Sequence, residues 1–264
     1  MNELFSIDLF KDHLRTLALG RHLRYERSTD STMRLAQEAA ERGDPHGSLF
    51  LAEEQTDGRG RQGRSFFSPA GENLYFTILI RGSRASLRMI PLAVPLAVCS
   101  AIRSTGLNAA IKWPNDIWVG GRKVSGILID VQEAGEEFLV MPGIGINVNT
   151  DFSDVDELRE VATSIRSSLG RKVARELLLA SVCNELEEWL AAPRDKVVDG
   201  YRDASLVIGR AVEVLPRSGT PFVGIARAVE LDGALRVRRD DGETEVVRAA
   251  DVSLRPADGV DPSP

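Results

Sequence analysis

Three arginines fall within the segment Gly58-Arg59-Gly60-Arg61-Gln62-Gly63-Arg64-Ser65. A guanidinium is permanently charged and grips phosphate or carboxylate oxygens through two parallel N–H donors. Like charges this close repel until something negative arrives. The segment therefore reads as a glycine loop that receives an anionic ligand; a solvated surface turn is the plain alternative.

Three familiar patterns overlap these residues, and each fails on context. G-x-G-x-x-G should open a helix and be followed about 20 residues on by an acidic ribose ligand. Here Phe66-Phe67-Ser68-Pro69-Ala70-Gly71 follows, and no acidic residue lies between Asn73 and Thr105. The phosphate loop G-x-x-x-x-G-K-[ST] needs a compact lysine ammonium ahead of a helix, and Arg64 stands in its place. An arginine-glycine RNA-binding tract would repeat in a low-complexity setting, whereas this loop sits between two strand candidates.

Two further segments hold polar residues where apolar ones are expected. Lys112-Trp113-Pro114-Asn115-Asp116 precedes Arg122-Lys123-Val124-Ser125-Gly126-Ile127-Leu128. Taken alone, either lysine reads as a surface residue, but a glycine inside a strand such as Gly126 commonly permits a close ligand or backbone approach. Pro142-Gly143-Ile144-Gly145-Ile146-Asn147-Val148-Asn149 sets two asparagines among small apolar residues. Buried asparagines demand partners.

These segments need elements to hold them. The spacing of Leu4, Ile7, Phe10, Leu14 and Leu17 predicts one amphipathic helix in residues 1–24. Asp30-Ser31-Thr32 supplies cap residues and Gly43 a stop for a helix over 32–42. Strands are expected at 48–55, 73–80, 116–119, 124–131 and 138–149, with Gly120-Gly121 as a hairpin signal. Residues 87–105 and 172–202 read as helices. After Gly209 the texture changes to short β-type runs, AVEVL, FVGIARAVE, ALRVRRD and TEVVRAADVSL, which predict a small barrel over 206–256 and a frayed tail over 257–264. A larger domain over 25–205 precedes them.

Composition bounds the function. With 264 residues, 43% hydrophobic and 27% charged, the balance is that of an ordinary soluble domain pair. A net charge of −6 argues against holding nucleic acid by phosphate neutralisation. The longest apolar stretch, 89–98, contains Pro91 and Pro95 and falls short of the ~20 residues that span a bilayer. The first residues do not read as a signal peptide, so no membrane and a cytoplasmic location are expected. Cys99 and Cys183 read as small core hydrophobes, and His13, His22 and His46 share no metal-ligand spacing.

Taken in order, Ser31-Thr32 before a helix, Gln55 leading into the arginine loop, Lys-Trp-Pro-Asn-Asp, Arg-Lys-x-x-Gly-Ile-Leu and Gly-Ile-Asn resemble the motifs of biotin–protein ligases. The resemblance spans about residues 25–255 and includes the ending Asp251-Val252-Ser253-Leu254-Arg255-Pro256. It implies an α+β fold: a catalytic domain related to class II aminoacyl-tRNA synthetases with a small SH3-like C-terminal barrel. It implies activation of biotin by ATP, accompanied by Mg²⁺, and transfer to a lysine of a biotin carboxyl carrier domain of an acyl-CoA carboxylase. By the same resemblance Ser31, Thr32, Met33, Gln55, Gly58, Gly60 and Gly126 line the biotin site. Arg59 and Arg61 grip the biotin carboxylate and the α-phosphate, and Lys123 neutralises charge at the forming adenylate. Arg64, Asn115, Asn147 and Arg255 lie near ATP, and Asp116 near the reacting centre. The loop 58–66 is expected to order over bound ligand. Met33 stands where the family usually has Asn, and Phe66 where many members have Trp.

Repressing members of the family carry a DNA-binding domain ahead of the Ser-Thr segment; with about 30 residues preceding it here, operator binding is not expected. A lipoate- or octanoate-attaching enzyme and a sensor without chemistry are the rivals, separated by which acid drives ATP–pyrophosphate exchange. An isologous homodimer through a sheet edge is left open.

Overall fold

The helix that follows Ser31 begins on a side-chain cap from that residue. The Ser31 side chain accepts the Met33 N–H at the start of α2 (Thr32–Arg42), and Gly43 closes the helix in the left-handed conformation. The computed structural model describes residues 4–58, 60, 66–153, 155–216, 219–248 and 250–254.

Eight strands build the main sheet: β1 (Leu23–Glu26), β2 (Leu49–Ala52), β3 (Leu74–Ile78), β4 (Ile80–Gly82), β5 (Ala109–Lys112), β6 (Asp116–Val119), β7 (Arg122–Ala134) and β8 (Glu137–Ile146). The order is β1-β2-β3-β8-β7-β6-β5, with β4 on β8. Only the β1–β2 pair is parallel among these described pairs. Gly120 and Gly121, both at positive φ, turn β6 into β7 as the two-residue hairpin their sequence predicts.

Side chains alternate between the two faces of a strand, so the core divides cleanly. Leu49 and Leu51, with Leu74, Phe76, Ile78, Ile144 and Ile146, join the large core. Phe50, Leu139 and Met141 face the other way and pack with Leu35, Ala36 and Ala39 of α2. The large core is covered by α4 (Ile90–Arg103), α6 (Arg175–Ala191) and α7 (Arg194–Ala204), with two short helices, α3 (Arg84–Leu87) and α5 (Ile165–Leu169), in the connections. Pro91 stands in the first turn of α4, where a missing N–H breaks no helical bond. The helical stretch Arg84–Arg103 is long and apolar enough by composition to cross a membrane. Its apolar residues, Ile90 through Ile102, are buried in this core. Cys99 and Cys183 are buried there too, and burial pushes their thiols up to about 11 and about 12.

A second sheet of five antiparallel strands follows: β9 (Ala211–Pro216), β10 (Phe222–Val229), β11 (Leu235–Arg239), β12 (Thr244–Val247) and β13 (Ala250–Leu254), in the order β12-β11-β10-β9-β13. The last β-type run is thus two strands. Val212, Val214, Ala226 and Val237 continue the core of the larger domain. The Trp113 indole N–H donates to the Gly233 carbonyl at 2.8 Å, joining the Lys-Trp-Pro-Asn-Asp segment to the turn before β11.

Two expectations need revision. Helix α1 covers only Ile7–His13. Beyond it the backbone N–H groups of Arg15, Leu17, Ala18 and Leu19 donate to Asn184 and Glu187 of α6, and Leu17 is 94% exposed. Side-chain acceptors on a distant helix replace the carbonyls that would have continued α1. The 172–202 helix is two helices, because Pro193 forces Ala192 into an extended conformation at ψ 151°.

Candidate active site

The register places a glycine floor on the α2 face of the sheet. Thr77 pairs with Gly143 and Tyr75 with Gly145 across β3 and β8, and Gly143 and Gly145 pair in turn with Leu128 and Gly126 of β7. Directly paired residues share a face. A Cβ on Gly143 would lie 2.7 Å from Met33 Cγ. One on Gly145 would lie 2.5 Å from the Phe66 ring, and one on Gly126 would lie 2.9 Å from Lys123 Nζ. Two strands, β7 and β8, therefore present bare backbone to a groove over which the side chains of Met33, Phe66 and Lys123 lie. Gly145→Ala displaces a side chain rather than backbone. It is expected to leave the melting temperature nearly unchanged while raising the KM for the acid substrate about tenfold, roughly 1.4 kcal/mol; unchanged steady-state kinetics would place the substrate elsewhere.

One end of the groove is polar. Gln55 Oε1 accepts from the Thr32 N–H at 2.9 Å and the Thr32 hydroxyl at 3.1 Å. The Thr32 and Thr77 hydroxyls lie 3.0 Å apart. Ser31, buried at the cap, receives the Met33 N–H at 3.3 Å. Its neighbour Asp30 is held down at about 2, chiefly by hydrogen bonding to Arg34 and further by the Ser31 N–H. Gly58 pinches the base of the arginine loop. Its carbonyl accepts the Phe66 N–H at 2.8 Å, and a Cβ there would meet Phe66 O and Ser68 Oγ at 2.9 Å.

The other end carries charge. Lys123 Nζ and Asp116 Oδ1 are 2.8 Å apart, each side chain about a third or less exposed. A register shift between Ile117 and Trp118 brings them together, since Asp116 pairs with Gly126 while Trp118 pairs with Lys123. Lys112 lies over the Trp118 ring at 4.1 Å. The Asn115 side chain donates to the Ile127 carbonyl, and its own carbonyl accepts the Ile127 N–H. Asn147 donates to Thr163 O at 3.1 Å, and Asn149 to Val173 O at 2.9 Å. These asparagines bind backbone and fix the frame of the site.

The structure thus gathers Ser31, Thr32, Met33, Gln55, Gly58, Asp116, Lys123 and Gly126 around one groove, with Asn115 and Asn147 beside its charged end. Arg59, Arg61, Arg64 and Arg255, and with them the arginine grip and the expected ordering of the 58–66 loop, lie outside the described residues; Gly60 is described and half-buried. Sequence reasoning missed Thr77 and passed over Gly143 and Gly145 as floor residues. Their signal was a polar residue inside a β run and two glycines at strand period.

Known proteins resemble this chain over most of its length. Residues 25–149 match the biotin/lipoate A/B protein ligase family, and residues 207–255 match the biotin protein ligase C-terminal domain. A bifunctional ligase/repressor of Bacillus subtilis is 32% identical over 254 residues, covering 91% of this chain and 76% of that protein. A biotin–[acetyl-CoA-carboxylase] ligase of Mycobacterium tuberculosis is 32% identical over 229 residues, covering 83% of each. A biotin protein ligase from Aquifex aeolicus, solved in complex with biotin and ATP, superposes with a TM-score of 0.73 at 26% identity, covering 90% of this chain and 100% of that one. With both family models matched in order and relatives this similar over most of their length, the chain belongs to the biotin protein ligase family.

Proposed function

We propose that this protein uses ATP to convert biotin into biotinyl-5'-AMP and then transfers the biotinyl group to a lysine of a biotin carboxyl carrier domain of an acyl-CoA carboxylase. The observation that carries this reading is a groove with hydrogen-bonding groups at one end, a backbone floor in its middle and a lysine ammonium at the other end. A ureido ring needs donors and acceptors, which Thr32, Gln55, Ser31 and Thr77 supply. A valeryl chain needs an apolar channel, which Gly143, Gly145, Phe66 and Met33 line. A carboxylate and a phosphate need positive charge, which Lys123 supplies.

The chemistry explains the charged end. A carboxylate is a poor acylating agent, so its oxygen attacks the α-phosphorus of ATP and pyrophosphate leaves. Negative charge then accumulates where two anions meet. A fixed ammonium at that point stabilises the transition state more than the ground state, and such preorganised stabilisation is usually the largest catalytic contribution. Asp116 holds the ammonium in place. In the second step the neutral amine of the carrier lysine attacks the acyl carbon, loses a proton, and AMP departs. Arg59, Arg61, Arg64 and Arg255 belong to this reading as further phosphate and carboxylate contacts.

Magnesium accompanies ATP in this reading. Among the described residues no three His, Cys, Asp or Glu side chains cluster to hold a metal by themselves. In this reading the ion is carried on the nucleotide phosphates, keeps most of its waters and would need only one or two carboxylates from the protein, of which Asp116 would be one. When bound, the ion supplies additional positive charge over the phosphates. The five-stranded C-terminal sheet is taken as an SH3-like barrel that closes over the nucleotide side.

The test is ATP–pyrophosphate exchange with biotin, lipoate and octanoate in turn, followed by the mass of a carrier domain after incubation with ATP and biotin. Biotin-dependent exchange and a carrier heavier by one biotinyl group are expected. Lipoate-dependent exchange would replace the reading with the lipoate enzyme, and biotin binding without exchange would replace it with a sensor.

A further inference from the structure

A buried ion pair that belongs to no part of the groove sits behind its polar end. Arg175 opens α6 and Glu53 follows β2, and their side chains are 6% and 4% exposed. Arg175 Nη1 lies 2.6 Å from Glu53 Oε2, and Nη2 lies 3.2 Å from Oε1. Glu53 Oε1 also accepts from the Tyr25 hydroxyl at 2.6 Å and the Phe5 N–H at 2.8 Å. Arg175 Nη1 donates in addition to Asn73 O at 3.1 Å.

Each residue so gripped leads into the groove within a short step. Two residues after Glu53 comes Gln55, which holds Thr32. Asn73 accepts the Val148 N–H at 2.9 Å, next to Asn147, and donates to the Tyr75 hydroxyl, which in turn donates to Pro69 O at 3.0 Å. Pro69 follows Ser68, which caps the Phe66 carbonyl at 2.9 Å. One guanidinium therefore ties together the end of β2, the start of β3 and the end of β8, from which Gln55, Phe66 and Asn147 extend. A buried pair of this kind adds little net stability compared with apolar residues of the same size. Its value here lies in direction, because a planar fork fixes both partners in angle as well as distance.

We propose that Glu53 and Arg175 are positioning residues for biotin binding, setting the orientation of Gln55 and, through Asn73, of the Phe66 wall. The proposal rests on the biotin-ligase reading for its substrate, but not for its geometry. Arg175→Lys keeps a charge and loses the fork; Tyr25→Phe removes one donor to Glu53 and is the milder variant should the first fold poorly. In folded protein, assayed by ATP–pyrophosphate exchange, Arg175→Lys is expected to raise the biotin KM about tenfold, with kcat and the ATP KM within about twofold; Tyr25→Phe is expected to shift the biotin KM two- to threefold.

Amide hydrogen exchange supplies the readout that does not depend on activity. The Thr32 N–H, bonded to Gln55, is expected to exchange at least about tenfold faster in Arg175→Lys, while amides of β10 and β11 keep their wild-type rates. Unchanged Thr32 protection and an unchanged biotin KM in folded Arg175→Lys would overturn the proposal. So would equal losses in the biotin KM, the ATP KM and the β10 protection, which would mark a purely structural role. Absence of biotin-dependent exchange in the wild type would instead remove the ligase reading, and the Thr32 amide would still decide whether the pair holds Gln55.

Discussion

Lys123→Ala is expected to lower biotin-dependent ATP–pyrophosphate exchange by about 10²- to 10³-fold, equivalent to roughly 3 to 4 kcal/mol of lost transition-state stabilisation. The residue is placed for this and for little else. Its side chain is a third exposed, and its backbone is held independently, with the N–H on Val161 O and the carbonyl receiving the Thr163 N–H. Removing the ammonium should therefore leave the melting temperature within a few degrees. Lys123→Arg retains charge but puts a wider, planar group against Gly126, where a Cβ would already lie 2.9 Å from the ammonium. It is expected to recover only part of the rate. Asp116→Asn leaves the ammonium in place but unanchored, so a smaller loss, about tenfold, is expected. Pyrophosphate exchange isolates the first chemical step from carrier binding. Exchange within threefold of wild type for Lys123→Ala would mean that the charge at the reacting centre comes from elsewhere, the arginine loop first.

Much of the groove could be read locally because its cues are local. Ser31 and Gly43 bracket α2 through capping chemistry that acts within a few residues. Gly120 and Gly121 make their hairpin because both central positions need positive φ. Gly126 stood out as a glycine inside a strand, and Asn147 and Asn149 as buried amides in want of partners. Which partners they take is decided by the fold, and these are the carbonyls of Thr163 and Val173. The glycine floor was hidden for the same reason. Gly126, Gly143 and Gly145 form one surface only when β7 and β8 pair in this register. The N-terminal segment was misjudged because its helical spacing is real, while the side chains that end the helix belong to residues about 170 positions away. Glu53 and Arg175, separated by 122 positions, give no sign of each other in sequence.

That pair carries the largest expected stability effect. Arg175→Met keeps most of the side-chain volume and removes the charge, leaving a carboxylate 96% covered with no countercharge beside it. Breaking one side of a buried pair costs about 3 to 5 kcal/mol, whereas replacing both sides by apolar groups is often neutral. Arg175→Met is therefore expected to melt on the order of ten degrees below wild type near pH 7, and Glu53→Leu combined with it to recover most of the difference. The pH dependence has a definite sign. Burial pushes the Glu53 carboxyl up, but hydrogen bonds from Arg175, Tyr25 and the Phe5 N–H outweigh it and leave the carboxyl below its ordinary value. A depressed folded-state value contributes stability above the unfolded value of about 4.3 and loses it as pH falls through the folded one. In Arg175→Met the burial effect dominates, the carboxyl takes up a proton more readily in the folded state, and acid relieves the variant while it weakens the wild type. The gap in melting temperature should thus narrow from pH 7 to pH 4. Tyr25 bears on the alkaline side: burial and the neighbouring carboxylate raise its hydroxyl to about 12, so its share of stability persists below about 10 and fades as pH rises toward 12. A melting-temperature gap that is constant from pH 4 to pH 7 would show that Arg175 acts through packing against Phe5 and not through its charge on Glu53.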